Sequence, residues 1–228
     1  MRRKSAVVPP IGASSAGARL AMGNAQRHLR CADAIASIGE TSTATAHLVL
    51  SVEEAVKSMA LTASAIALPI PERDLKRLLV SHDVRHATAG MVVLFSYIIE
   101  RIMTHAVALD FDNPVLTAEQ ASERRAELVK HLVADAHSFG RQGDPSAAPA
   151  AFLSWFAQAK SMKESGFYVD YTSNGWRTPD SVSTDSYATS RLHTERFLRK
   201  VGSQLDGIAA MSEDQREILR SAMSYGPT

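Results

Sequence analysis

The placement of proline and glycine constrains this chain more than any other feature, because each proline removes a backbone donor and blocks helix continuation. The nine prolines fall at a few breaks, and between them apolar residues recur at helical spacing. Gly39 suits the end of a first helix running from about Arg19 to Ile38. Thr41 to Thr43 offer N-caps for a second helix reaching Leu68, where Pro69 and Pro71 force a stop. Pro71-Glu72 suits the first turn of a third helix, which extends to about Ala108 with a bend near Gly90 and is ended by Asn113-Pro114. Thr117-Ala-Glu-Gln120 is a capping box opening a helix to about Phe139. A loop from Gly140 to Ala150 leads into a short aromatic helix, Phe152 to Lys163. Gly166-Phe-Tyr-Val-Asp-Tyr171 is the only β-like segment, and turn residues follow it through Pro179. Helix resumes from about Thr184 to Ala209, and a second capping box, Ser212 to Gln215, opens a last short helix. The expected fold is all-α: a helical bundle with long antiparallel central helices and a short irregular or β-like FYVDY segment.

The start of the chain combines basic residues with Pro9-Pro10 and a Gly/Ser/Ala stretch, not an unbroken apolar run. Residues 1–17 are therefore expected to be a flexible tail and 18–228 a single helical domain. The longest apolar run, Met91 to Ile99, is too short for a bilayer, so no membrane segment is expected and the cytoplasm is the default location. A formal net charge of +1 argues against a scaffold that binds nucleic acid through bulk electrostatics, while leaving room for a local basic site. Cys31 is the single cysteine, which excludes an internal disulfide and a cysteine-rich zinc module; it reads as a small core residue.

On a helical wheel, Val49, Val52, Val56, Ala60, Ala63 and Ala67 form one stripe of the second helix, and Glu53 falls inside it. Lys57 lies at its rim and Glu54 further round. A carboxylate on a core-facing stripe is costly unless paired. On the third helix His82 and His86 sit near the middle of the stripe formed by Leu75, Leu78, Leu79, Ala89 and Val93, with Arg85 close by. The Pro-rich connection makes the two helices antiparallel neighbours, so Glu53 and Glu54 are expected to meet His82, Arg85 or His86. The bland reading is an ion-pair network that fixes helix register. A metal reading finds His82 and His86 at i, i+4, but neither HExxH nor paired Glu-x-x-His motifs, and Arg85 and Lys57 nearby; no metal and no cofactor are expected.

Arg77 and His82, with four residues between them, have the residue types needed for metal-independent RNA cleavage. A histidine moves the 2′-OH proton and an arginine holds the phosphorane oxygens. Arg125 and His131 match the same loose pattern, so spacing alone discriminates little. Five steps along a straight helix put Arg77 about 140° from His82, whereas Arg85 has the better angle. Both arginines stand as candidates.

Three stretches carry a family resemblance: Ser51-Val-Glu-Glu-Ala-Val-Lys57, His82-Asp-Val-Arg85, and Lys163-Glu-Ser-Gly-Phe-Tyr-Val-Asp170 followed by Trp176 and Pro179. In their order and spacing they resemble the EE-x-G-K, H-x-x-K and K-x-x-G-L-Y-V-D motifs of the AbiV family of phage abortive-infection proteins, related to the HEPN helical superfamily. Val56 stands where the family usually has glycine, and Arg85 where it often has lysine. The resemblance implies a HEPN-like bundle and an antiviral defence protein that halts translation or growth during infection, answering a phage protein. HEPN relatives are commonly homodimeric RNases with Arg-x4–6-His motifs at the subunit interface, which would make Arg77 and His82 the catalytic pair and RNA the substrate. The alternative is a non-catalytic helical protein that blocks translation or senses phage by binding a partner. On the first reading Glu53, Glu54, Lys57 and His86 support the site; on the second the cluster is structural. Phe167, Tyr168, Tyr171 and Trp176 dock this segment on the bundle, or they stack on bases or cover the polar cleft, with Lys163 and Arg177 touching phosphate and Asp170 positioning a histidine.

Overall fold

Small side chains set the closest helix contact of the molecule. In the computed structural model, which describes residues 8–68, 70–86, 148–173, 175–179 and 182–224 together with single positions between 88 and 130, helix α1 (Ile11–Ala36) and helix α2 (Thr41–Ala65) form a hairpin. Ala18, Ala21, Ala25 and Ala32 of α1 are buried, as are Ala44, Ala46 and Ala55 of α2. Lacking bulk there, the backbones come close enough for serine to bridge them. Ser51 Oγ donates to the Ala25 carbonyl and Ser58 Oγ to the Ala18 carbonyl, each at 2.7 Å. Ser14 meets Ser64 at 3.5 Å. These rungs pair rising numbers in α1 with falling numbers in α2, so the hairpin is antiparallel, and each buried hydroxyl is satisfied.

Helix α1 begins at Ile11 instead of Arg19, so residues 11–17, expected in the tail, are helical. Pro10 directly precedes it, where a missing backbone donor costs nothing. Gly39, at φ +92°, closes the turn into α2 as a C-terminal glycine does. Helix α2 stops at Ala65, three residues before Leu68. Ala67 takes the left-handed conformation (φ 55°), and the amides of Ala67 and Leu68 return to the carbonyls of Ser64 and Ala63 at 3.1 and 3.0 Å. That is a Schellman closure with alanine at the place glycine usually fills.

The expected long third helix is instead broken. Helix α3 (Glu72–Val80) ends at Ser81, whose backbone is extended (φ −103°, ψ 120°), and helix restarts over 82–86. Ser81 caps the restart by accepting from the Val84 amide at 3.3 Å. The expected continuation to Ala108 lies mostly outside the described residues. Among the described residues α2 packs most extensively along α1, and only lightly on α3.

Helix α4 (Ala148–Ala157) and helix α5 (Ala159–Phe167) are separated at Gln158. Strands β1 (Asp170–Thr172) and β2 (Gly175–Arg177) form a two-stranded antiparallel hairpin with Tyr171 opposite Trp176. It overlaps the β-like segment expected over Gly166–Tyr171 only at Asp170 and Tyr171, since Gly166 and Phe167 end α5 and the second strand falls where turn was expected. Helix α6 (Thr184–Ala210) and helix α7 (Glu213–Ser224) complete the all-α bundle. Both capping boxes form: Thr117 Oγ1 accepts from the Gln120 amide at 3.2 Å, and Ser212 Oγ from the Gln215 amide at 3.3 Å, each reciprocated by the glutamine side chain.

The main core joins α2, α4 and α6. Val49, Val52, Val56 and Met59 meet Phe152, Trp155 and Phe156 and, beyond them, Phe197, Leu198 and Val201. Phe152 stacks on Phe197 at 4.6 Å, and the buried indole of Trp155 donates to Ser190 Oγ at 2.9 Å. Gly166 lets the end of α5 lie directly on α2. A Cβ there would stand 2.4 Å from the Ser42 carbonyl oxygen and 2.7 Å from Ala46 Cβ, so no other residue fits without a shift.

Candidate functional site

Glu53 projects from the core face of α2 and is 1% exposed. Its two oxygens collect four groups from two other parts of the chain. Oε1 accepts from His86 Nε2 at 2.8 Å and from Lys163 Nζ at 2.7 Å. Oε2 accepts from His82 Nδ1, in a very short contact, and from Arg85 Nη2 at 3.3 Å. Burial pushes the Glu53 carboxyl upward, but hydrogen bonds from His86, Lys163 and His82 overcome it and hold the group at about 2. Glu53 is therefore a carboxylate at neutral pH.

That charge state fixes the tautomer of His82. An ionised Oε2 is an acceptor only, so the Nδ1 beside it carries the hydrogen. Arg85 Nη2 stands 3.0 Å from the same nitrogen but is a donor only and cannot supply the acceptor Nδ1–H needs. Nε2 of neutral His82 then bears the lone pair. The His82 side chain is 53% exposed, although its partner carboxylate is sealed. A buried acid orienting an accessible imidazole is the arrangement a general base requires.

Arg85 is itself buried, 4% exposed. Its Nη1 donates to the carbonyls of Leu78 and Leu79 at 3.3 and 3.1 Å, which the break at Ser81 leaves without helical partners. Its Nη2 holds Glu53. One planar fork thus ties the end of α3 to α2, a task for which lysine has too few directed donors. Arg85 Nε is buried without a partner among the described residues. Arg77 lies in the last turn of α3, exposed, and makes no ion pair among the described residues. His86 stacks on Phe156 at 4.8 Å, joining the site to the aromatic core.

The expected cluster is thus partly assembled. Glu53, His82, Arg85 and His86 meet, whereas Glu54 and Lys57 pair with each other one helix face away. Lys163, expected at phosphate, bonds inward to Glu53 and is only 13% exposed. Tyr168 is exposed. Asp170 and Trp176 lie in the hairpin strands, and their side chains fall outside the described residues. Sequence reasoning missed a second pair, His28 and His47, whose Nδ1 atoms lie 3.1 Å apart across the α1/α2 hairpin. Burial lowers both, and Phe167 of α5 meets His47 edge-on at 5.4 Å. Their places on either side of the turn, in the register of the Ala25–Ser51 rung, were the available signal.

A family model for AbiV, of the HEPN group, matches residues 13–199. The chain belongs to the AbiV family. Comparisons with curated proteins and with solved structures return no match. For an AbiV protein the site has a simple reading along the chain: the Glu-Glu stretch supplies Glu53, the His-x-x-Arg stretch supplies His82 and Arg85, and the Lys-x-x-Gly stretch supplies Lys163 and the glycine that seats it. AbiV membership points to a role in abortive infection, a defence against phage. Among the described residues no helix is long and apolar enough to cross a membrane.

Proposed function

We propose that this AbiV protein is an infection-activated, metal-independent endoribonuclease, acting as a homodimer that halts translation and growth once a phage protein triggers it. One observation carries the reading: the His82 side chain is half exposed while buried Glu53 holds its Nδ1, which leaves Nε2 as the nitrogen that bears the lone pair. In the reaction Nε2 takes the proton of a ribose 2′-OH as that oxygen bonds to the adjacent phosphorus. The P–O5′ bond then breaks and the 5′ oxygen takes a proton from the His82 imidazolium, directly or through water, leaving a 2′,3′-cyclic phosphate and neutral His82. Exposed Arg77 is the arginine free to meet the phosphorane oxygens, since the fork of Arg85 is spent on Glu53 and the end of α3. His82 and Arg77 are the proposed catalytic residues, and Glu53, Arg85 and His86 position them.

The test is purified protein with total cellular RNA in excess chelator. Wild type should produce cyclic phosphate ends, and His82→Ala should not, with unchanged helicity by circular dichroism. Cleavage by His82→Ala at the wild-type rate would remove His82 from the mechanism. The second reading, a non-catalytic partner-binding protein, is favoured by the saturation of Glu53, since a purely structural network would look the same. It expects any loss of phage protection in these variants to follow loss of thermal stability.

A further inference from the structure

Lys163 reaches Glu53 from α5, 110 residues further along the chain. A carboxylate held through one oxygen can still swing about its Cγ–Cδ bond. Here Lys163 and His86 hold Oε1 from one side, which leaves Oε2 turned toward His82. Lys163 can do this only because Gly166, one turn later on α5, lies against Ser42 and Ala46 with no room for a side chain. Thr43 Oγ1 adds a hydrogen bond to the Gly166 carbonyl at 3.2 Å. Lysine and glycine three apart, on one short helix, thus act together: the glycine brings the helix onto α2 and the lysine reaches the buried acid. Lys160, one turn earlier, pairs outward with Asp83 at 3.1 Å and is well exposed, so α5 divides its lysines between solvent and site.

We propose that Lys163 is a positioning residue of the His82 site, fixing the Glu53 carboxylate so that it holds one tautomer of His82, and that it is not a phosphate-binding residue. The inference rests on the ribonuclease reading for its kinetic consequence, but its structural consequence can be read without RNA. A lysine on Glu53 Oε1 is not available to a phosphate without breaking a buried charge pair. Removing it leaves Oε1 with His86 alone, against His82 and Arg85 on Oε2, and so loosens the orientation of the carboxylate. The Nδ1–H of His82 then loses its single acceptor for part of the time.

The experiment is nitrogen-15 NMR of the imidazole nitrogens at a pH where His82 is neutral, on wild type, Lys163→Met, Lys163→Arg and Lys160→Ala. Wild type and Lys160→Ala should show Nδ1 protonated and Nε2 bare. Lys163→Met should populate the other tautomer, and Lys163→Arg should restore the wild-type pattern. With RNA, Lys163→Met should lower kcat roughly tenfold, the scale of one charged hydrogen bond, with KM unchanged. A folded Lys163→Met protein that keeps only the Nδ1–H tautomer would overturn the inference, as would a raised KM at unchanged kcat, which is what a phosphate contact predicts. If Lys163→Met does not fold, Lys163→Gln with the same readout decides. Absence of cleavage by wild type would defeat the ribonuclease reading alone, because the tautomer measurement stands without it.

Discussion

Glu53 occupies a core position, and its neighbours explain how a charge is tolerated there. With the folded carboxyl held at about 2 against an ordinary 4.5, the folded state favours the ionised form. The stabilisation is therefore complete above pH 4.5 and is lost as pH falls toward 2, an amount on the order of 3 kcal/mol. Urea unfolding across that window should show wild type losing this increment. In Glu53→Gln it should already be absent, so the difference between the two proteins narrows as the pH falls. A constant difference between pH 5 and pH 2 would mean that Glu53 is not held as a carboxylate by its partners. At this scale the sequence was informative, because a glutamate on an apolar stripe announces a partner. It named His82, Arg85 and His86 correctly. Glu54 could not be excluded by the same reasoning, since one residue is a rotation of about 100° and both glutamates were within reach of a long side chain. Lys163 could not be matched to Glu53 at all, because no periodicity links residues on helices far apart in the chain.

At the scale of elements, the seating of α5 on α2 is the contact with least tolerance. Gly166→Ala places a methyl group 2.4 Å from the Ser42 carbonyl oxygen, so α5 must move. We expect a loss of about 1–3 kcal/mol by thermal or denaturant unfolding, the usual cost of overpacking. A variant as stable as wild type would show that α5 is loosely seated. Much at this scale was legible: both capping boxes, the glycine closing α1 and the β-like character around Asp170 follow from local chemistry. The break at Ser81 was not, because neither proline nor glycine marks it. Its signal was subtler, a serine able to cap the next turn with Asp83 following in that turn. The break also removes the angular argument against Arg77, which assumed one straight helix through His82. The early start of α1 was hidden by a stretch of Gly, Ser and Ala. Small residues there look flexible in isolation, yet Ser14 is buried against α2.

Across the whole molecule, three segments distant in sequence close one site: α2 brings the acid, the helix restarting after Ser81 brings the imidazole, and α5 brings the lysine. Helix α6 braces this arrangement from outside, where Arg191 grips Asp33 of α1 through two nitrogens at 2.7 and 3.1 Å and Tyr187 adds a third bond at 2.9 Å. The Arg191 bonds hold Asp33 below its ordinary range, and burial with the Asp33 bond raises Tyr187 to about 12. The chain's AbiV membership and its all-α bundle stand on this frame, and the proposed ribonuclease would use it to offer one oriented imidazole to RNA. Because His82 is half exposed, its side chain can be replaced from solution. The most direct measurement is cleavage of a defined RNA by His82→Gly with and without added imidazole. The proposed general-base role of His82 predicts loss of cleavage in the variant and partial return of the rate as imidazole is raised. A His82→Gly protein that cleaves at the wild-type rate without imidazole would contradict it.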